Sequence, residues 1–327
     1  MSTDFQCPLA NGIRAFLHHK RALGKRLEKP ELIFRMLDRF LTAHGVRHIG
    51  DITTSLIDDF IRSTNRHSPR SYNLLLSGLR GLFDWLVLND MLATSPLCTS
   101  PRRVTSRCTP FLFTSDQAKR LLGAAALLKD NPYAAKRGEI YRMIFLLLYG
   151  LGLRVGEVSR LRCKDVDLDR RLLVIRQTKF GKNRLVPFGP KMTHEISEFL
   201  KRREASGSIP LEFPLFSFAK DGGRPIGAKT ISWTFHRLVP ELNLKIPEGV
   251  TPPHLHCLRH SFAVGTLLGW YRMGVNPAAR LLDLSTFLGH GSPSSTAVYL
   301  TITADLFECA SQRFAHFATP TFKEVAP

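Results

Sequence analysis

Residues 146–168, LLLYGLGLRVGEVSRLRCKDVDL, decide how the rest of the chain is read. An apolar helical run meets Gly150, Leu151 and Gly152, and a second helix is predicted to begin near Arg154, with Glu157 and Leu161 on its following turns. Backbone amides point outward at a helix start and a guanidinium adds two aligned donors, so this corner suits an anion such as a phosphate. The competing reading of Arg154 is a pairing with a nearby carboxylate.

Working toward the C-terminus, the densest group of chemistry-bearing residues is HLHCLRHSFA at 254–263. On a helix His256, Arg259 and His260 lie at i, i+3 and i+4, so an imidazole and a guanidinium aim at the same ligand. His260 reads equally well as a satisfied histidine in a buried helix. His254, His256, Cys257 and His260 could suggest zinc, but the HExxH layout is missing and Arg259 would set a cation beside the metal, so no metal is expected. Further on, FLGHGSPSSTAVYL at 287–300 places His290 after a Leu-Gly turn and Tyr299 nine residues later. A tyrosine in so aliphatic a setting reads, by itself, as core.

Between these segments RLLVIRQTKFGKNRLVPF predicts a β-hairpin over about residues 171–188, two aliphatic runs around a Phe-Gly-Lys-Asn turn. Lys179 stands next to that turn, where it can reach a phosphate or a minor groove or simply solubilise the loop. Lys182 is its rival.

The N-terminal part is different in character. Residues 11–92 predict four amphipathic helices, the last opened by Ser68 as cap and Pro69 at the first helical position. Arg66, His67 and Arg70 crowd its start, either as a solvated face or as a DNA contact. Polar, proline-bearing residues 97–110 read as a basic linker that carries Arg102 and Arg103. The expected division is therefore a helical DNA-binding domain at 1–98, a linker at 99–112 and a second domain at 113–327. The second domain opens on a capping box from Thr114 to Gln117. Its interior is predicted to be mostly helical, which makes the whole chain mainly α with a small β-sheet.

Composition narrows the partner. A net charge of +19 favours a polyanion, and the surplus is spread rather than gathered in a tail, since residues 1–110 hold 16 Lys and Arg against 9 Asp and Glu. Six scattered cysteines with no CxxC pair argue against a disulfide framework. The N-terminus lacks a signal-peptide layout, and the longest apolar stretch, residues 143–153, is too short for a membrane span. A cytoplasmic protein without membrane contact is expected.

Taken in order, Gly152-Leu153-Arg154 with Glu157, Lys179, His256 with Arg259, Leu288-Gly289-His290 and Tyr299 resemble the signature of the tyrosine recombinase, or phage integrase, family. The resemblance spans 114 to about 300, and the N-terminal bundle resembles the family's core-binding domain with weaker motifs. It implies a recombinase catalytic domain in which Tyr299 attacks a DNA phosphate and forms a 3′-phosphotyrosyl bond. Arg154 and Arg259 would hold the phosphoryl oxygens, Lys179 would protonate the departing 5′-oxygen, His256 would be general base or proton shuttle, and His290 would be a further donor. It further implies double-stranded DNA at specific sites, a homotetrameric synapse and no cofactor. Arg66, Arg70, Arg102, Arg103 and Lys182 are the nominated DNA contacts. Residues 303–317 are expected to form a helix that docks on a neighbouring protomer or packs within its own subunit.

Two departures stand out. Arg259 and His290 are separated by 31 residues, longer than in compact relatives, with the excess in GWYRMGVNPAARLLDLS, and Leu300 and Thr301 follow the tyrosine where many relatives carry a histidine. A non-catalytic DNA-binding regulator of the same fold and a type IB topoisomerase remain as alternatives.

Overall fold

The structure, a computed structural model, describes residues 4–25, 27–104, 108–176, 183–204, 210–218 and 223–301. The chain forms two compact units, Met1–Arg107 and Cys108–Pro327.

The first unit is built on four helices, α1 (Ala10–Ala22), α2 (Glu28–Ala43), α3 (Thr54–Ser63) and α4 (Pro69–Leu88). Their apolar stripes meet in one core that includes Ile13, Phe16, Phe34, Leu37, Phe60, Leu75, Leu79 and Phe83. Each such side chain contributes about 1.5–3 kcal/mol on burial, which explains why the four predicted helices form. Two polar details orient the bundle. Asp38, buried on α2, accepts the amides of Gln6 and Cys7, each at 2.8 Å, and so ties the segment before α1 to the core. Thr53 caps α3 by accepting the Leu56 amide at 3.3 Å. Pro69 does open α4, but Ser68 makes no side-chain capping bond, so proline's preset φ rather than a cap marks that start. Leu97 joins this core and Arg102 exchanges two bonds of 2.8 Å with Asn73, so residues 97–104 run along the first unit.

The second unit begins with α5 (Ser115–Ala126), whose capping box is formed as Thr114 accepts the Gln117 amide at 3.2 Å and Gln117 accepts the Thr114 amide at 3.0 Å. There follow α6 (Arg137–Gly150), α7 (Val155–Arg160), β1 (Val166–Asp167), β2 (Leu172–Ile175), β3 (Arg184–Pro187), α8 (Pro190–Glu204), α9 (Ala228–Leu238), α10 (Leu255–Arg272), α11 (Leu281–Leu288) and α12 (Ser294–Ala297). The fold is thus mainly helical with a small antiparallel sheet in the order β1-β2-β3. Leu173 pairs with Val186 and Ile175 with Arg184 in the hairpin. β1 was not foreseen, because two residues are too few to show an alternating pattern. Lys179 and Lys182 lie outside the described residues.

Helix α10 organises this unit. Its first turns place Leu255, Cys257 and Leu258 in the large core, while Ala263, Val264 and Leu267 join a smaller cluster with Leu284, Leu288 and Tyr299. The long interval between Arg259 and His290 therefore has a structural use: α10 continues to Arg272, and α11 supplies the leucines that enclose Tyr299.

Two glycines make the corners on which the site depends. Gly152, at φ +58°, turns the chain from α6 to α7, and a Cβ there would meet Phe262 at 2.6 Å. Gly289, at φ +66°, ends α11, and a Cβ there would meet the Arg184 side chain at 2.9 Å. Both positions join backbone strain to close approach. Gly152→Ala is expected to destabilise the protein by about 2 kcal/mol or more, measured by denaturant unfolding of the full chain.

Candidate active site

The centre of the second unit holds a buried guanidinium. Arg259, 1% exposed on α10, donates to the Gly152 carbonyl at 2.7 Å and to the Leu288 carbonyl at 2.6 Å. It thereby joins the α6–α7 corner to the end of α11. Among the described residues its buried Nε has no hydrogen-bond partner. Burial and the nearby Arg154 charge lower its pKa to about 9, so it remains cationic at neutral pH.

Arg154 lies just before α7 and reaches the same place from the other side. It donates through Nη1 to Glu157 Oε1 and through Nη2 to the Gly289 carbonyl, both at 2.8 Å. The carboxylate pairing considered from sequence is therefore present, and Glu157 also accepts the Arg154 amide at 2.9 Å. The same carboxylate takes a bidentate bond from Arg184 on β3, at 2.7 and 2.9 Å, while Arg184 Nε donates to the Phe287 carbonyl at 3.0 Å. Burial pushes the Glu157 carboxyl up, but the bonds and charges of Arg184 and Arg154 overcome that and leave it at about 2.

Around these cations stand three histidines and the tyrosine. His260 Nδ1 lies 2.9 Å from the Tyr299 hydroxyl, and its ring meets that of His256 edge-on with centroids 4.5 Å apart. His290 Nδ1 bonds the buried Thr296 hydroxyl at 2.7 Å, and its ring stacks near Tyr299 at 6.3 Å. Burial followed by the Arg259 charge lowers His256 and His290 to about 4, and burial followed by the charge of His256 lowers His260 to about 3. All three are neutral at pH 7. Tyr299 is 3% exposed, and burial raises its phenol while Arg259 and Arg154 pull in the opposite direction. A cavity of about 330 Å³, lined in part by Arg154, Glu157, Arg160 and His256, opens beside this group.

Five sequence-nominated residues, Arg154, His256, Arg259, His290 and Tyr299, thus come together, although they span 154 to 299 in the chain. Arg184 and the contact from His260 to Tyr299 had not been foreseen. Arg184 did leave a signal: alternation along β3 puts it on the same face as buried Val186, an unusual register for a charge. Among the described residues no three His, Cys, Asp or Glu side chains gather as metal ligands, and no helix is long and apolar enough to cross a membrane.

Of the nominated DNA contacts, Arg66 and Arg102 meet within the first unit. Arg102 Nη1 donates to the Arg66 carbonyl at 2.9 Å, and its guanidinium lies 3.8 Å from the Tyr72 ring centroid. Arg66 itself bonds Ser71 Oγ at 3.0 Å. Arg70 and Arg103 are exposed.

Because Glu157 titrates lower in the folded protein than in the unfolded chain, its contribution is complete above the unfolded pKa and is lost as pH falls through the folded one. From the shift of 4.5 to about 2, this amounts to on the order of 3 kcal/mol. Glu157→Gln should be less stable than the wild type at pH 7 by about that amount, and the gap should close between roughly pH 5 and pH 2. Urea unfolding across that range measures it.

Comparison with known proteins identifies the family. Residues 112–305 match the model of the phage integrase family. The y4rB product of Sinorhizobium fredii, an integrase/recombinase by name, is 31% identical over 92% of this chain and 95% of its own length. The tyrosine recombinase XerA of Thermococcus kodakarensis is 32% identical over 76% of this chain and 77% of its own. Among solved structures, a lambda integrase tetramer bound to a Holliday junction superimposes with a TM-score of 0.57, covering 88% of this chain and 76% of that one; at 19% identity the likeness speaks for the fold. With more than half of its length matched, and relatives above 30% identity that cover most of it, the chain belongs to the phage integrase family, the tyrosine recombinases.

Proposed function

We propose that this recombinase cuts and rejoins double-stranded DNA at specific sites through a transient bond between Tyr299 and the 3′-phosphate. The observation that carries the proposal is the convergence of Arg154, Arg259, His256, His290 and Tyr299 on one cluster beside an open cavity.

Phosphoryl transfer needs a nucleophile, compensation for charge on the non-bridging oxygens, and a proton for the oxygen that departs. Tyr299 Oη attacks phosphorus as the bond to the 5′-oxygen breaks, which conserves a phosphodiester-like linkage for rejoining. Arg259 and Arg154 hold the non-bridging oxygens. Among the described residues Arg259 Nε is a buried donor with no acceptor, a demand that an arriving phosphate can meet. His256, which lines the cavity, acts as proton shuttle on the phosphate side, and His290 adds a donor. Lys179, which lies outside the described residues, protonates the 5′-oxygen in this reading. Protein cations supply the compensating charge, so the reaction runs without a divalent metal or other cofactor.

The basic surplus in both sequence halves supports DNA contact by both units, through Arg66, Arg70, Arg102 and Arg103 in the first and Lys182 in the second. The lambda integrase in the comparison is a tetramer on a junction, and by that likeness we assign this chain the same working assembly on two duplexes. Its compartment is the one that holds the DNA, the cytoplasm. The helix expected at 303–317 lies outside the described residues, and its docking on a neighbour is part of the same proposal.

A duplex selected by this protein from a random-sequence pool, nicked to trap the covalent state, provides the test. Tyr299→Phe should bind that duplex within about twofold of the wild type and form no adduct, because only the hydroxyl is lost. An adduct formed by the phenylalanine variant would overturn the assignment of the nucleophile. Adduct formation by the wild type should persist in EDTA, and loss in EDTA with recovery on adding magnesium would overturn the cofactor-free reaction.

A further inference from the structure

The spacing of the motif points to His256 as the proton acceptor, yet the side chain that touches the nucleophile is its neighbour one turn on. His260 Nδ1 sits 2.9 Å from Tyr299 Oη, within the range for a direct O–H···N bond. We propose that His260 is the group that positions the Tyr299 hydroxyl and takes its proton during cleavage, leaving His256 to serve the phosphate. This rests on the recombinase reading of the site and divides its proton transfers between two histidines.

Three features of the geometry favour His260 in this role. The tyrosine is enclosed by Leu284, Leu288 and Val264, so its proton has little access to bulk water and needs an acceptor inside the protein. His260 is fixed on the second turn of α10, the same helix that holds Arg259, so the acceptor and the phosphate-binding guanidinium keep a constant spacing. His290 is not available in the same way, because its Nδ1 is engaged by Thr296 and its ring is stacked beside Tyr299 with centroids 6.3 Å apart.

The groups around His260 make it a neutral acceptor. It meets Tyr299 from the following segment, and the titratable groups that act on it are His256 and Arg259 on its own helix and His254 at the helix start. Burial and these neighbours hold its pKa near 3 in the DNA-free protein, so the acceptor nitrogen is open at neutral pH. A phosphate placed beside Arg259 adds negative charge and raises the basicity of His260 at the moment the proton must move. In the forward step the O–H bond of Tyr299 breaks toward Nδ1, Oη bonds to phosphorus, the bond from phosphorus to the 5′-oxygen breaks, and that oxygen receives a proton from Lys179. In rejoining, the 5′-hydroxyl attacks and gives its proton back to Lys179, its oxygen bonds to phosphorus, the bond from phosphorus to Oη breaks, and His260 returns the proton to Tyr299.

Two variants and two leaving groups test the inference. His260→Asn keeps an acceptor near the Nδ1 position but cannot carry a proton, and His260→Ala removes both functions. Single-turnover adduct formation is measured across pH 5–9 on the nicked selected duplex and on the same duplex with a bridging 5′-sulfur, a leaving group that departs without protonation. Both variants are expected to slow adduct formation by on the order of 10²–10⁴-fold on both duplexes throughout that pH range and to bind DNA normally. Lys179→Ala, in contrast, should recover on the sulfur substrate. His260→Asn within threefold of the wild type, or recovery of its rate by the sulfur leaving group, would overturn the proposal. Nitrogen NMR of the wild type keeps it falsifiable should a variant fail to fold: Nδ1 is expected to be unprotonated at neutral pH and to shift on Tyr299→Phe, and a protonated or unresponsive Nδ1 would overturn it. A wild type that forms no adduct at all would instead overturn the recombinase reading, which the NMR result distinguishes from failure of the His260 assignment.

Discussion

Glu157 sits buried among three guanidiniums, and the arrangement of the catalytic unit follows from that imbalance of charge. Arg184 and Arg154 share its two oxygens, whereas Arg259 is held by the carbonyls of Gly152 and Leu288. A carboxylate removed from water would ordinarily take up a proton; here the neighbouring cations keep it ionised and at about 2. Carbonyl dipoles only partly compensate the remaining positive charge. The site is preorganised for a further anion, and a phosphodiester is an anion of suitable shape for two planar forks.

This arrangement explains why the chain bends where it does. The carbonyls that receive Arg259 and Arg154 belong to Gly152, Leu288 and Gly289, at the two left-handed corners. A side chain at Gly152 would strike Phe262, and one at Gly289 would strike Arg184, so each glycine serves both the backbone turn and the approach of an arginine. Sheet and helices meet in the same network, since Arg184 carries the hairpin's second strand onto the end of α11 through the Phe287 carbonyl. The small sheet is thereby coupled to the corner proposed to bind the phosphate.

The crowd of cations also governs the histidines. Three imidazoles kept neutral by burial and by positive neighbours can accept protons at pH 7, and an arriving phosphate makes them more basic. Tyr299 lies in the apolar cluster closed by α11, so the core reading of that residue is met, and its burial is compatible with the proposed role as nucleophile. Burial raises the phenol and so disfavours its ionisation in the free protein.

Much of this was legible in the sequence. The four N-terminal helices follow from apolar residues at helical spacing, the start of α5 from Thr114 and Gln117, and the hairpin from two aliphatic runs around a turn. The family follows from the order of Arg154, Lys179, His256, Arg259, His290 and Tyr299. Those are properties of short segments and of their sequence along the chain, set by backbone periodicity and local hydrogen bonding. What only the tertiary structure decided are the partners: Arg184 for Glu157 across 27 residues, His260 for Tyr299 across 39, Gly152 for Arg259 across 107 and Gly289 for Arg154 across 135. No local pattern encodes such pairs, because a hydrogen bond depends on where the packing of helices and strands brings two atoms. Sequence alone therefore marked Tyr299 and the arginines around it, and the fold selected which histidine touches the Tyr299 hydroxyl.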